Sequence, residues 1–398
     1  MVLSQHARFY TRFAILFLIT STTILYYATS KKESISLKTP FYEKQIASKS
    51  PDKQYFKNVT KVKTIPVTNE KFDGKVYSFG NRIEKIKLAV VLCGERLNQT
   101  VVTLKSAVIF SRKSLHFIII VDDINHALLK QKLLEWPSAI LERLSFEIHP
   151  INFPNGSEGD EWKKLFKLCA CQRLFLPSIL HHIDSLLYVD TDVLFLRPVE
   201  ELWEHFYRMN SSHIAALCPE HEDFATGWYN RFARHPFYEP LGVNSGVMLM
   251  NLTRMRTFQW ETYLPSIMKE YRLNIVWGDQ DIVNIIFHFH PEKLYLFPCE
   301  WNFRPDHCMY SNVCKTAEKN GIAVIHGNRG VFLNNKQPAF KAIFQAMLQY
   351  NLEDDPILHF LEPVKLYLKQ TVNTNCGKYL STVISSIHPK ILEKTSKR

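Results

Sequence analysis

No Cys-x-x-Cys pair occurs among the eight cysteines of this 398-residue chain, which removes the usual signature of a zinc knuckle or a dithiol redox centre. Surplus charge is missing where the chain would fold. The net charge of +11 lies in the ends: residues 1–75 hold 13 Lys+Arg against 5 Asp+Glu, and residues 390–398 hold 4 against 1, so 76–389 is neutral. A neutral body offers no basic face to a phosphate backbone, which excludes nucleic acid as a partner. A small-x-small cleavage site is also absent after the uncharged 18-residue stretch Phe13–Ser30, which lies between Arg8 and Arg12 on one side and Lys31-Lys32 on the other. That stretch is at the short end of what spans a bilayer, and without a cleavage site it reads as a signal-anchor rather than a removed signal peptide.

What is present describes a globular protein with a large core, 46% hydrophobic and 22% charged. Five acceptor sequons begin at Asn58, Asn98, Asn155, Asn210 and Asn251. All follow the apolar stretch, so together they point to a lumenal body. The expected organisation is a cytoplasmic tail (1–12), a single membrane anchor (13–30), a stem rich in Lys, Ser, Thr and Pro (31–75), a folded domain (76–350) and a C-terminal helical extension with a basic tail (351–398). Localisation follows as a single-pass type II protein of the Golgi or endoplasmic reticulum membrane. Cys299, Cys308, Cys314 and Cys376 cluster late in the chain and are the disulfide candidates, with three pairings open. Cys169 and Cys171 are too close to bridge each other easily.

Apolar runs alternate with helical periodicity along the body. Ile86–Cys93 reads as a buried strand stopping at Gly94, Thr100–Phe110 as a helix, Leu115–Val121 as a strand, 125–135 as a helix and Leu144–Ile148 as a strand. Trp162–Leu176 reads as helical, Leu202–Tyr207 as helix, Ile214–Leu217 and Asn244–Asn251 as strands, and a helix opens at Trp277–Asp281. Alternation of this kind predicts an α/β fold with a Rossmann-like, mostly parallel mixed sheet flanked by helices, and ligands beyond the carboxyl ends of its strands.

The chemistry concentrates at Leu186-Leu187-Tyr188-Val189-Asp190-Thr191-Asp192. An apolar strand ends in two carboxylates that share one side, and ionised carboxylates in such surroundings call for a cation. Hard oxygen ligands suit Mg²⁺ or Mn²⁺, with positions left for a substrate diphosphate. His326 also ends a short strand, Ala323–Gly327, and is the candidate third ligand.

With these pieces in order the chain resembles the retaining glycosyltransferases of family 8, which have the GT-A fold. The resemblance rests on Arg173 with Leu174 and Leu176-Pro177, on Leu187–Asp192, on Asn244-Ser245-Gly246-Val247, on Gly278-Asp279-Gln280-Asp281 and on His326-Gly327. Trp162–Phe166, Gly227–Pro236, Trp301–Cys308 and His326–Gly330 are similar, more narrowly, to the glucoside xylosyltransferase group, lumenal enzymes that add xylose in α1,3 linkage to O-linked glucose on EGF-like repeats such as those of Notch. The resemblance implies UDP-xylose as donor, a glucosylated EGF-like protein as acceptor, and Mn²⁺ (or Mg²⁺) held by Asp190, Asp192 and His326. It implies that Leu92, Cys93 and Gly94 meet uridine, that Arg173, Asn244, Ser245, Gly246, Gly327 and Lys336 contact the donor, and that Asp279 and Gln280 lie at the reacting sugar. Trp228, Tyr229, Trp301 and Asn302 are the expected acceptor contacts. One departure stands out: much of the family follows the His-Gly pair with a lysine directly ahead of Pro-Trp, where this chain has Lys336-Gln337-Pro338-Ala339-Phe340.

Other readings of the same residues are a family 8 transferase using another UDP-hexose, a haloacid-dehalogenase-like phosphatase, whose motif Leu187–Val193 also imitates, and a non-catalytic lumenal lectin. For the transferase reading the sequence offers no compelling nucleophile.

Overall fold

The protein is described here by a computed structural model covering residues 77–78, 85–153, 159, 162 and 169–385, all within one compact unit spanning 63–398. The expected anchor at 13–30, the stem, the basic tail, and the sequons at Asn58 and Asn155 lie outside the described residues. Among the described residues no helix is long and apolar enough to cross a membrane.

Among the described residues ten strands form two sheets: β1 (Tyr77–Ser78), β2 (Ile86–Leu92), β3 (Leu115–Val121), β4 (Leu144–Pro150), β5 (Ser185–Val189), β6 (Val193–Phe195), β7 (Ala215–Pro219), β8 (Val243–Asn251), β9 (Leu294–Leu296) and β10 (Val324–His326). The large sheet has the order β1-β4-β3-β2-β5-β8-β7-β9, and β6 pairs separately with β10. β4, β3, β2 and β5 are parallel, as continuous apolar runs joined by helical crossovers require. β8 then runs antiparallel to both β5 and β7. That reversal matters for the site, because it brings the amino-terminal residues of β8 to the edge where β2, β5 and β7 end.

Residues alternate between two cores, one on each face of the sheet. Leu88, Val90, Leu92, Phe117, Ile119, Leu187 and Val189 pack with the helix Leu97–Phe110 and with the late helices. Ala89, Val91, Ile118, Ile120, Leu186, Tyr188 and Met248 pack against Ile282, Ile285, Ile286 and Trp260. The period of two is what a strand buried on both faces must show.

Two features differ from expectation, the segment before β5 and one disulfide. Where a helix to Leu176 was expected, the described part is a 3-10 stretch, Ala170–Phe175, followed by the single turn Leu176–Ile179. Pro177 falls in the first turn of that short helix, where a missing N–H costs nothing, and so starts it rather than stopping the one before. In the expected C-terminal helical extension lie the helices Glu362–Lys369 and Asn375–Ser385, and Phe360, Val364, Leu368, Leu380 and Ile384 join the main core. The disulfides are Cys299–Cys314 and Cys308–Cys376, as candidates, and also Cys93–Cys169, which was not anticipated because its partners lie 76 residues apart. Cys308–Cys376 ties the last described helix to the body.

Candidate active site

β5 ends at Val189, and the backbone leaves the sheet with the Asp190 N–H donating to Gly246 O on β8 at 2.9 Å. Three residues after Asp190, at Val193, β6 begins and pairs antiparallel with β10, His326 opposite Val193. Gly327 N–H donates to Asp192 O at 2.7 Å, and Thr103 Oγ1 to Thr191 O at 2.8 Å. Pairing of β6 with β10 thus delivers a histidine from 134 positions downstream onto the Asp-x-Asp turn. Ligand atoms of Asp190, Asp192 and His326 lie within 4.8 Å of one another. Nε2 of His326 is 3.4 Å from Asp192 Oδ1 and 3.8 Å from Asp190 Oδ2.

A relay of side chains fixes the histidine tautomer. Gly246 N–H donates to Asn244 Oδ1 at 3.0 Å, so that atom is an acceptor, and Asn302 Nδ2 donates to it at 2.8 Å. Asn302 Oδ1 therefore faces His326 Nδ1, 2.9 Å away, which must carry the proton. The lone pair is left on Nε2, toward the carboxylates, as a metal-binding imidazole needs. Gly246 has its own reason to be glycine. A Cβ there would sit 2.7 Å from His326 Nδ1 and 2.9 Å from Nε2, and closer still to Cε1. Two carboxylates and one correctly oriented imidazole suit a divalent cation such as Mn²⁺, with coordination positions left over.

Arg173 stands behind this cluster, 6% exposed. Its Nη2 is 2.7 Å from Asp190 Oδ1, its Nε 2.5 Å from Asp279 Oδ2, and its Nη1 donates to Ser245 O. Its carbon centre lies 4.4 Å over the Tyr188 ring. Burial pushes the guanidinium down, but Asp190 and then Asp279 more than offset it, so the net shift is upward. Burial, only partly offset by Arg173, pushes the Asp279 carboxyl up to about 7. For Asp192 burial also raises, yet His326 and then Arg96, 3.6 Å away, hold it below the usual carboxylate range.

Gln280 opens the helix Asp279–Phe289, with its Oε1 accepting from Ser245 N at 3.2 Å. Its Nε2 donates to Tyr229 Oη at 3.2 Å and to Glu220 Oε2 at 3.4 Å. Asp281 is fully buried and supports the loop before that helix, accepting from Val276 N and Trp277 N at 2.7 Å each and from Tyr229 Oη at 2.7 Å. Leu92 is buried, and Gly94 turns with φ +58 while its N–H donates to Asp122 Oδ2 at 2.7 Å.

Several expected contacts sit elsewhere. Cys93 is half of a disulfide, so its thiol is not offered to a ligand. Tyr229, Trp301 and Asn302 are buried at 1%, 3% and 0% exposure and do not face an acceptor: Tyr229 props Gln280 and Asp281, Trp301 packs under Arg197 at 4.9 Å, and Asn302 orients His326. Trp228 stays half-buried, edge-on to Trp277 at 5.6 Å. Lys336 is exposed on the loop before the helix Pro338–Gln349, and no ion pair joins it to the cluster among the described residues. Asn98 and Asn210 are exposed, whereas Asn251 is half-buried and caps the helix Leu252–Thr257 through Arg254 N at 2.8 Å. Sequence reading missed Arg96 and Glu220. Glu220 directly follows β7 at the same sheet edge as Asp190, and a carboxylate ending a strand is the signal that was available.

A mixed sheet of this order, with an Asp-x-Asp turn and a strand-end histidine at its carboxyl edge, is the architecture of a GT-A glycosyltransferase. The chain belongs to glycosyl transferase family 8, whose model matches residues 42–329. Glucoside xylosyltransferase 1 of Mus musculus is 52% identical over 319 residues, covering 77% of this chain and 78% of that protein. Glucoside xylosyltransferase 1 of Danio rerio is 43% identical over 385 residues, covering 93% and 94%. The fold is shared with the galactosyltransferase LgtC solved with donor and acceptor sugar analogues, at a TM-score of 0.50 and 16% identity, over 67% of this chain and 96% of that one. As a family 8 glycosyltransferase the protein binds a nucleotide-sugar donor and a glycosyl acceptor; the phosphatase alternative falls away.

Proposed function

We propose that this chain transfers xylose from UDP-xylose, with retention at the anomeric carbon, in α1,3 linkage onto glucose O-linked to EGF-like repeats. The observation that carries this reading is the 52% identity, over most of both chains, to a protein named for xylosyl transfer to glucosides. The EGF-like acceptor is what the resemblance of the Gly227–Pro236 and Trp301–Cys308 segments implies. The stretch 13–30 serves as a signal-anchor, with the body lumenal in the Golgi or endoplasmic reticulum.

Asp190, Asp192 and His326 would hold Mn²⁺, or Mg²⁺ in its place. When bound, the ion supplies positive charge against the diphosphate as the sugar–phosphate bond breaks. Arg173 holds Asp190 and Asp279 in place from behind through its ion pairs, and so acts through them. Asn244, Ser245, Gly246 and Gly327 line the approach to the sugar and diphosphate, Leu92 and Gly94 edge the uridine side, and Gln280 presents its amide toward the reacting carbon.

The test is transfer by the full chain supplied with Mn²⁺, a panel of UDP-sugars and a glucosylated EGF-like repeat, with Asp192→Asn as control. Transfer from UDP-xylose, lost in the control, is expected. Use of UDP-glucose or UDP-galactose in preference to UDP-xylose would overturn the xylosyl assignment while leaving family membership untouched.

A further inference from the structure

Breaking the bond between sugar and diphosphate leaves positive character on the anomeric carbon, and a fixed negative charge nearby lowers the barrier. Asp279 and Asp281, the carboxylates flanking Gln280, are both committed elsewhere. Asp279 is 4% exposed and paired with Arg173. Asp281 is fully enclosed, held by one hydroxyl and two backbone N–H groups, with His235 Nε2 at 3.4 Å. Asp190 and Asp192 face the metal cluster with Arg173 and Arg96 beside them.

Glu220 differs from all four. Its Oε2 is gripped by Asn244 Nδ2 at 2.7 Å and reached by Gln280 Nε2 at 3.4 Å, two amides that border the sugar position. Its Oε1 accepts no hydrogen bond from any described residue, on a side chain that is half-buried. No Lys, Arg or His nitrogen lies within ion-pairing distance of its carboxylate among the described residues. The neighbouring guanidinium, Arg304, donates its hydrogen bonds to the backbone carbonyls of Asn302, Pro219 and Glu220 itself, and feels the Glu220 carboxylate as a nearby charge without pairing to it directly. Its backbone is fixed too, with Glu220 N–H donating to Gly242 O at 2.9 Å.

We propose that Glu220 is the carboxylate that stabilises the positive charge on the transferred sugar, acting through its free oxygen and forming no bond to it. The inference deepens the transferase reading and rests on it. The electron pair of the breaking C–O bond leaves with UDP. The new C–O bond forms to the acceptor hydroxyl, whose proton passes to the departing diphosphate oxygen. Glu220 supplies only charge, oriented in advance by Asn244, so it needs no reorganisation as the bond breaks.

Glu220→Gln keeps an oxygen for Asn244 while removing the charge, and Glu220→Asp keeps the charge on a shorter arm. Both are compared as full chains with wild type for donor hydrolysis without acceptor, for transfer, for the Mn²⁺ concentration that half-activates, and for UDP binding by calorimetry. Glu220→Gln should lower kcat for hydrolysis and transfer alike by about 10²–10³-fold, the usual loss for one preorganised electrostatic partner. KM for donor, half-activating Mn²⁺ and UDP affinity should stay at wild-type values, and Glu220→Asp should recover part of kcat. A wild-type kcat in Glu220→Gln would overturn the proposal. So would a loss seen mainly as weaker UDP or Mn²⁺ binding, the mark of a residue that merely holds Asn244, and so would a xylosyl ester on Glu220 found by mass spectrometry. Each comparison uses the UDP-sugar that wild type turns over, so a wrong donor assignment shows in wild type and a wrong role for Glu220 only in the variants.

Discussion

Replacing Gly246 with alanine adds one methyl group and removes no ligand, yet it should disable metal use. The methyl carbon would sit 2.7 Å from Nδ1 and 2.9 Å from Nε2 of His326, well inside van der Waals contact. The strand cannot easily withdraw, because Gly246 O accepts from Asp190 N at 2.9 Å and Gly246 N donates to Asn244 at 3.0 Å. The imidazole must therefore move, and its hydrogen bond to Asn302 moves with it. Overpacking a tight core costs about 1–3 kcal/mol, and disturbing a ligand's orientation weakens metal binding about 10–100-fold. Two measurements follow: the unfolding midpoint, and the Mn²⁺ concentration that half-activates transfer. Both should be displaced in Gly246→Ala. The double variant Gly246→Ala/His326→Ala should be more stable than Gly246→Ala alone, since truncating the ring relieves the clash, with a coupling of about 0.5–3 kcal/mol. An alanine variant with wild-type Mn²⁺ dependence would refute the reasoning, as would simple additivity in the double variant.

Asn302→Ala removes the acceptor for His326 Nδ1 and frees the tautomer, so half-activating Mn²⁺ should rise about 10–100-fold in the same titration; an unchanged value would show that the relay does not orient the ring. Arg173→Met leaves Asp190 and Asp279 without their shared cation, and breaking such a buried pair costs about 3–5 kcal/mol in denaturant unfolding; a loss below 1 kcal/mol would contradict the burial and pairing described above. Lys105 is buried, and its Nζ donates to Tyr350 O at 2.5 Å and Leu348 O at 3.3 Å, tying the helix Leu97–Phe110 to the end of Pro338–Gln349. Lys105→Met strands those carbonyls and should cost about 1–3 kcal/mol. Burial lowers the Lys105 ammonium from 10.5 to about 8. Between those values the unfolded chain holds a proton that the folded chain has released, so stability contributed by this site rises with pH, and the rise should be missing from Lys105→Met.

Much of the architecture was legible because its causes are local. β2, β3 and β5 are runs of Leu, Val and Ile that have no other way to hide their side chains, and the crossovers between them carry helical periodicity. Asp190 and Asp192 announce themselves as charges ending an apolar strand. The helix expected to run to Leu176 was misplaced because a proline just beyond it looks the same whether it stops one helix or opens the next, as Pro177 does. Trp301 and Tyr229 misled because an aromatic ring that stacks on a ligand and one that fills a core have the same composition; only packing around them separates the two.

The sequence alone determined which residues could do chemistry: a carboxylate pair, a strand-end histidine and an Asp-Gln pair opening a helix. Tertiary structure decided how they are used. The bond from Asn302 to His326 spans 24 positions, that from Asn302 to Asn244 spans 58, and the Cys93–Cys169 bridge spans 76. The commitment of Asp279 to Arg173 and the freedom of Glu220 are relations between strands that meet only when the sheet forms. Such relations depend on strand order and register, which follow from the summed packing of the two cores rather than from any short stretch of chain, so the candidate ligands could be named in one dimension and their mutual orientation seen only in three.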